Sequence, residues 1–198
     1  MSTWKLTPDT GQISGSHTNL PLVTIPSDIE MGAITLAEAQ SSRFYTDATL
    51  LTEVPREVVS ANELHSKQDA DSSLELYVDY DGVRSDYAVT ATYGRNAVWS
   101  DYLAVYHFED NPSGGSLTDS TGNGRNGTAE GSMTSGDKIS GPFGSAWDFD
   151  GSNDSVELDS YATDFETSQL SVTAWALSEN ADIRDYEAIF SLQQGGGP

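Results

Sequence analysis

Hydrophobic and polar positions alternate with a period of two along most of the chain, in short runs broken by Gly, Asn, Asp and Pro. That pattern predicts strands. In SLELYVDY (residues 73–80), Leu74, Leu76, Val78 and Tyr80 fall on one face and Glu75, Tyr77 and Asp79 on the other. After the turn pair Asp81-Gly82, DYAVTATYG repeats the pattern with Tyr87, Val89, Ala91 and Tyr93, as a hairpin partner or neighbouring strand would. Upstream, LPLVTIP and SRFYTD are strand-like. LLTEVPREVV predicts another strand or a broken pair, with Pro55 confining it to an edge or bulge. Only TLAEAQ, residues 35–40, has a helical pattern, and it is one or two turns long.

Near residue 97 the texture changes. VWSDYLAVYHFED predicts an aromatic strand, and a stretch rich in Gly, Asn and Ser follows from Asn111 to Gly136. SAWDFDGSNDSVELD places Trp147 and Phe149 before a turn and Val156 and Leu158 after it, the pattern of a hairpin, and LSVTAWALS and YEAIFSL predict two more strands. Trp99, Trp147, Phe149 and Trp175 sit within strand patterns and are expected in the core. No internal repeat of fixed period is present. The division falls between Tyr93 and Val98, which makes residues 1–97 an N-terminal β-sandwich domain and residues 98–198 a second β domain. The glycine-rich end after AIFSL leads us to expect more chain beyond Pro198.

Charge narrows the partners. Thirty-one acidic against nine basic residues give a formal net charge of −22, spread along the chain. Such a field repels nucleic-acid phosphates and anionic lipid, so neither nucleic acid nor membrane is an expected partner. Solubility and cation binding are the two roles left for it. With 36% hydrophobic residues the chain has the material for a core, and with no cysteine it has neither disulfides nor thiolate metal sites. Met1 is followed by no apolar signal segment, and no run is long enough to span a bilayer.

Candidate chemistry concentrates in DSTGNGRNGTAEGS, residues 119–132. Gly122, Gly124 and Gly127 spell G-x-G-x-x-G, but no buried strand precedes them and no helix follows to receive a phosphate, so the match is a coincidence of turn residues. Asp119, Thr121, Asn123, Gly124 and Glu130 fit positions 1, 3, 5, 6 and 12 of an EF-hand-like frame, without its flanking helices. Two readings stay open here: plain turn chemistry, or an irregular structural calcium site drawing on Asp119, Asn123, Asp150 and Asp154, with Asp148 nearby. His107 stands near Glu109 and Asp110, whereas His17 and His65 fall in polar stretches and form no H-E-x-x-H pair, so metal catalysis is not indicated. Paired carboxylates for glycoside hydrolysis are unavoidable in so acidic a chain and carry no information.

The ordered set LAVYHFED, LTDSTGNGRNGT, GPFGSAWDFDGSNDSVELD, LSVTAWAL and EAIFSL resembles the laminin-G-like branch of the concanavalin A-like lectin and glucanase superfamily. The resemblance implies a two-sheet jelly roll from residue 98 onward that stops before its later strands, often a carbohydrate- or protein-binding module with a calcium ion at one rim. The E-x-D-x-x-E strand of the laminarinase-type glucanases is not matched, because Glu157 and Asp159 are followed by Ala162. The first half resembles a small β domain that precedes such jelly rolls in bacterial surface and phage structural proteins, on WKLTPDTGQISGSHTNLPLVTIPSDI, SRFYTDATLLTEVPREVV, LELYVDYDGVRSDYAVTATYG and the junction VWSDYLAVYHFED.

The expected fold class is therefore all-β, two β-sandwich, jelly-roll-like domains, the second concanavalin A-like and truncated. The expected function is non-enzymatic: a phage virion component of tail, fibre or head decoration, located in the virion, whose jelly roll meets a host-surface glycan or a neighbouring subunit. Its partners would be other virion subunits, as a homo-oligomer or part of a larger assembly. The alternative is a secreted or surface-anchored bacterial carbohydrate-binding or adhesion module, hence extracellular. For sugar binding, the loop residues Asn123, Asn153, Asp154 and Tyr161 are the candidates, as amides and a carboxylate to bond hydroxyls and a ring to stack on them.

Overall fold

The computed structural model describes residues 2–7, 15–29, 31–158, 170–177 and 188–191. Strands dominate and helices are few and short. In chain order the first half holds β1 (Ser2–Leu6), β2 (His17–Thr24), α1 (Leu36–Ser41), β3 (Arg43–Tyr45), β4 (Glu53–Val54), β5 (Arg56–Ser60), β6 (Glu63–Ala70) and β7 (Leu76–Tyr80). The second holds α2 (Arg95–Val98), β8 (Ser116–Leu117), β9 (Gly127–Glu130), β10 (Lys138–Ser140), β11 (Ser145–Trp147) and β12 (Ser155–Glu157).

The first seven strands make two antiparallel sheets, one ordered β1-β7-β3-β4 and the other β2-β6-β5. Their apolar faces share a core. Phe44, Val54, Val78 and Tyr80 of the first sheet cluster with Leu64 of the second, and Met31, Ala39 and Val58 complete the cluster. A second cluster joins Ala70, Leu74 and Leu76 to Leu6, Leu20 and Leu22. The alternation in SLELYVDY does what its period demands, since Leu76, Val78 and Tyr80 are all buried. Pro55 lies where the chain leaves one sheet for the other, and β4 and β5 are edge strands of their sheets, where a missing N–H costs no ladder bond. α1 forms where TLAEAQ placed it. Thr35 and Glu38 make a capping box, with the Glu38 N–H donating to Thr35 Oγ1 (3.2 Å) and the Thr35 N–H to Glu38 Oε2 (2.8 Å).

In the second half, β12-β9-β8 form a three-stranded sheet and β10-β11 a two-stranded one. No strand pairing among the described residues joins these to the first two sheets.

Four local expectations are corrected. DYAVTATYG is a run of turns: the Ala91 and Gly94 N–H groups bond back to the Ala88 and Ala91 carbonyls, and Tyr87 leaves any strand pattern to lie over the Arg43 guanidinium, 3.9 Å from its ring centroid. VWSDYLAVYHFED is the end of α2, a turn and an unpaired segment, because its backbone bonds to the 119–125 loop instead of to a strand. Trp147 and Val156 do not share a hairpin, since β11 pairs with β10 and β12 with β9. Residues 170–177 and 188–191 carry no strand pairing. Of the four expected core aromatics, Trp99 and Trp147 are buried, whereas Phe149 is 42% exposed and Trp175 77% exposed. Five strands escaped the hydrophobic pattern: β1 and β6 in the first half, and β8, β9 and β10 in and just after the stretch rich in Gly, Asn and Ser.

Candidate metal centre

β6, ELHSKQDA, explains both why it was missed and what it carries. It is the middle strand of its sheet, and its residues are buried from end to end except Asp69. Leu64 and Ala70 point to the core, so Ser66 and Gln68 share that side and Glu63, His65 and Lys67 emerge on the other. In register with them, Glu57 of β5 stands directly opposite His65. The sheet thus presents a patch of ionisable side chains away from its core.

That patch is covered by α2 and the segment after it. Trp99 lies edge-on to His65, with ring centroids 5.2 Å apart, and His107 reaches in beside them, 4.8 Å from His65 and 5.7 Å from Trp99. Lys67 ties down the margin through Ser100 Oγ (2.8 Å) and Asp101 Oδ2 (2.8 Å). The cover leaves Glu57, Glu63, His65 and Trp99 buried.

Inside, the polar atoms converge. Glu63 Oε1 is 2.8 Å from His65 Nε2 and 3.6 Å from His107 Nδ1. The other His107 nitrogen, Nε2, is 2.9 Å from Glu57 Oε2, which also accepts a hydrogen bond from Trp99 Nε1 at 2.5 Å. Burial pushes the Glu57 pKa up, but the bonds from His107, Trp99 and Ser120 outweigh it and hold the carboxyl below its ordinary range. Two carboxylates and two imidazoles removed from water need compensating charge or full hydrogen bonding. One ligand atom each from Glu63, His65 and His107 lies within 4.8 Å of the others, a donor set of the kind that holds zinc-class cations.

The DSTGN loop positions His107. Asp119 Oδ1 accepts the N–H groups of Val105 (3.1 Å) and Thr121 (2.9 Å), and Oδ2 accepts the Thr121 hydroxyl (2.6 Å) and the Arg125 N–H (3.0 Å). Asn123 Nδ2 donates to the carbonyls of Tyr102 (3.2 Å) and Leu103 (3.0 Å), and the Ser120 N–H to that of Val105 (2.8 Å). Past His107, Phe108 takes a left-handed φ of 58°, costly for an aromatic residue, and packs edge-on to Trp147 at 5.4 Å. Glu109 is held by the N–H (2.7 Å) and hydroxyl (2.9 Å) of Ser145 and by Lys138 Nζ (3.1 Å).

The residues predicted from sequence fall into separate places. Asp119 and Asn123 are loop staples, and all the acceptor positions of Asp119 are taken by protein donors. Asp150 and Asp154 meet in a second loop, where Asp150 Oδ1 accepts the N–H groups of Ser152 (2.8 Å) and Asn153 (3.2 Å), and Asp154 accepts those of Asp150 (3.2 Å) and Ser132 (3.2 Å). This is the turn chemistry of Asx motifs. Tyr161 lies outside the described residues. His107 turns from its sequence neighbours Glu109 and Asp110 to Glu57 and Glu63. Glu57, Glu63 and His65 were missed, although charge itself alternates along β6 at positions 63, 65, 67 and 69, a period-two signal with no hydrophobic partner pattern strong enough to announce it. No helix among the described residues is long and apolar enough to cross a membrane. No family model, no curated protein and no solved structure matches this chain.

Proposed function

We propose that the protein is a non-enzymatic structural module of a phage virion, with two jelly-roll-like β domains, that docks onto neighbouring subunits through its C-terminal apolar segment. The observation that carries the docking part is the exposure of residues 170–177: Leu170 and Val172 are about half exposed, Trp175 is 77% and Leu177 91% exposed. Large apolar side chains left in water along one segment point to a surface that an assembly covers. Trp175 meets the ring of Phe143 edge-on at 5.1 Å and is 77% exposed, which leaves most of its indole for a partner. The resemblance of residues 98–198 to laminin-G-like jelly rolls, and of residues 1–97 to a β domain that precedes them in bacterial surface and phage structural proteins, supports the virion part.

Sedimentation over a concentration series tests the docking. The wild type is expected to self-associate, and Trp175→Ser with Leu177→Ser to return it to a monomer. A wild type that stays monomeric at high concentration overturns the self-docking. The genomic setting tests the virion reading, because tail or capsid genes alongside are expected, whereas sugar-utilisation genes would assign the secreted or surface-anchored carbohydrate-binding module instead.

A further inference from the structure

We propose that Glu63, His65 and His107 bind one divalent transition-metal ion of the zinc class, clasping β6 to the segment that covers it. The proposal stands on the geometry of the buried cluster and does not depend on the assembly reading above.

The ligand types come first. Two imidazoles and one carboxylate suit zinc, cobalt or nickel, whereas calcium takes six to eight oxygens. Spacing comes next. A tetrahedral ion with bonds of about 2.0–2.1 Å separates its ligand atoms by about 3.3 Å. Glu63 Oε1 stands 2.8 Å from His65 Nε2 and 3.6 Å from His107 Nδ1, distances that bracket this value, and the three ligand atoms lie within 4.8 Å of one another, so an ion would draw the two histidines together around Glu63.

The surroundings then settle which nitrogen His107 offers. Its Nε2 is engaged by Glu57 Oε2 at 2.9 Å, which leaves Nδ1, the atom nearer Glu63, to coordinate. A carboxylate on the far nitrogen of a metal-bound imidazole fixes the tautomer and makes the ligand more basic. Trp99 and Ser120 in turn hold Glu57. The ion would also compensate the two buried carboxylates on one small patch. Three protein ligands leave the fourth position to water.

Gly144 completes the cradle. A Cβ there would lie 2.4 Å from Glu63 Oε2 and 2.6 Å from Glu109 Oε1, so Glu63 can keep its place only beside a residue without a side chain. Glu109 cannot give way cheaply, because Ser145 and Lys138 hold it.

The test uses the full chain, stripped with chelator and titrated with Co2+ and with Zn2+. One equivalent of Co2+ is expected to bind and develop the visible d–d absorption of a tetrahedral N/O site, to be displaced by Zn2+, and to be unaffected by excess Ca2+. His65→Ala and His107→Ala are expected to abolish the signal, and His17→Ala to leave it unchanged. Glu57→Gln is expected to weaken binding about 10–100-fold, as loss of an outer-shell carboxylate does. Gly144→Ala displaces Glu63 without removing any ligand, so weaker Co2+ binding with an unchanged circular dichroism spectrum is expected. A wild type that takes up no stoichiometric Co2+ or Zn2+ overturns the proposal whatever the variants do. So does Co2+ binding that survives in folded His65→Ala/His107→Ala.

Discussion

Arg56→Ala is expected to destabilise the protein by about 2–4 kcal/mol, from the loss of buried charge-assisted hydrogen bonds and the space that the side chain leaves. Arg56 is 1% exposed and spans the core from β5 to the end of α1. Its Nε donates to the Ser42 carbonyl (2.7 Å) and its Nη2 to that of Gln40 (2.7 Å). Both carbonyls belong to the last turn of α1, where no intrahelical N–H remains to bond them. Nη1 pairs with Asp86 at 2.8 Å, but Asp86 is 39% exposed, so solvent screens that part of the interaction. The Ser42 carbonyl keeps a bond from Arg43 Nη1 (2.6 Å), so most of the loss comes from the Gln40 carbonyl and the space left by the side chain. Arg56→Lys keeps the charge and loses the fork, and is expected to recover only part. Urea unfolding measures this: the midpoint should fall with little change in slope. A midpoint within experimental error of wild type would show that the helix end does not depend on Arg56.

The second large effect is expected at Asp119. Asp119→Ala removes the acceptor of four hydrogen bonds at a buried site and is expected to cost about 2–4 kcal/mol. Asp119→Asn separates charge from shape. Its amide would set an N–H group against the donors of Thr121 and Arg125 or of Val105, so it should recover little. Burial pushes the Asp119 pKa up, but the Thr121 hydroxyl and the N–H groups of Thr121, Arg125 and Val105 outweigh it, and the folded-state pKa lies below the ordinary value. The unfolded chain then binds the proton more readily than the folded one. The contribution of Asp119 is accordingly complete above the unfolded pKa of about 3.9 and is lost as pH falls through the lower folded value. The stability difference between wild type and Asp119→Ala should therefore shrink on acidification below about pH 4. A difference that stays constant there would refute the charge-assisted role. Because the same loop holds the backbone at Val105, two residues before His107, Asp119→Ala should also weaken Co2+ uptake.

Much of the architecture was legible in the chain. Strands with a polar and an apolar face announce themselves, so LPLVTIP, SRFYTD and LELYVDY each lead to an observed strand, and TLAEAQ to the capped helix α1. These signals are local, set by the period of the backbone and by the chemistry of Thr35 and Glu38 three residues apart. β6 was illegible because both its faces are buried and neither is apolar throughout: one side carries Leu64, Ser66, Gln68 and Ala70, the other Glu63, His65 and Lys67. Apolar periodicity marks a strand only when water wets one of its faces. DYAVTATYG failed in the opposite sense, since its alternation is genuine but β5 bonds to it only at its end, from the Arg56 N–H to the Tyr93 carbonyl (3.1 Å), and the described segment otherwise turns back on itself.

The sequence by itself determined the β-rich class, the strongly acidic charge balance, the lack of cysteine, and the turns at Asp81-Gly82 and in the DSTGN loop. Each follows from residue type or from neighbours a few positions apart. Only the tertiary structure decided that Glu57, Glu63 and His65, on two adjacent strands, face His107 from beyond residue 100, and that the DSTGN loop is the scaffold for that histidine and not the site itself. Cross-strand register and the covering of a sheet face join residues some fifty positions apart, and no local pattern encodes such a meeting.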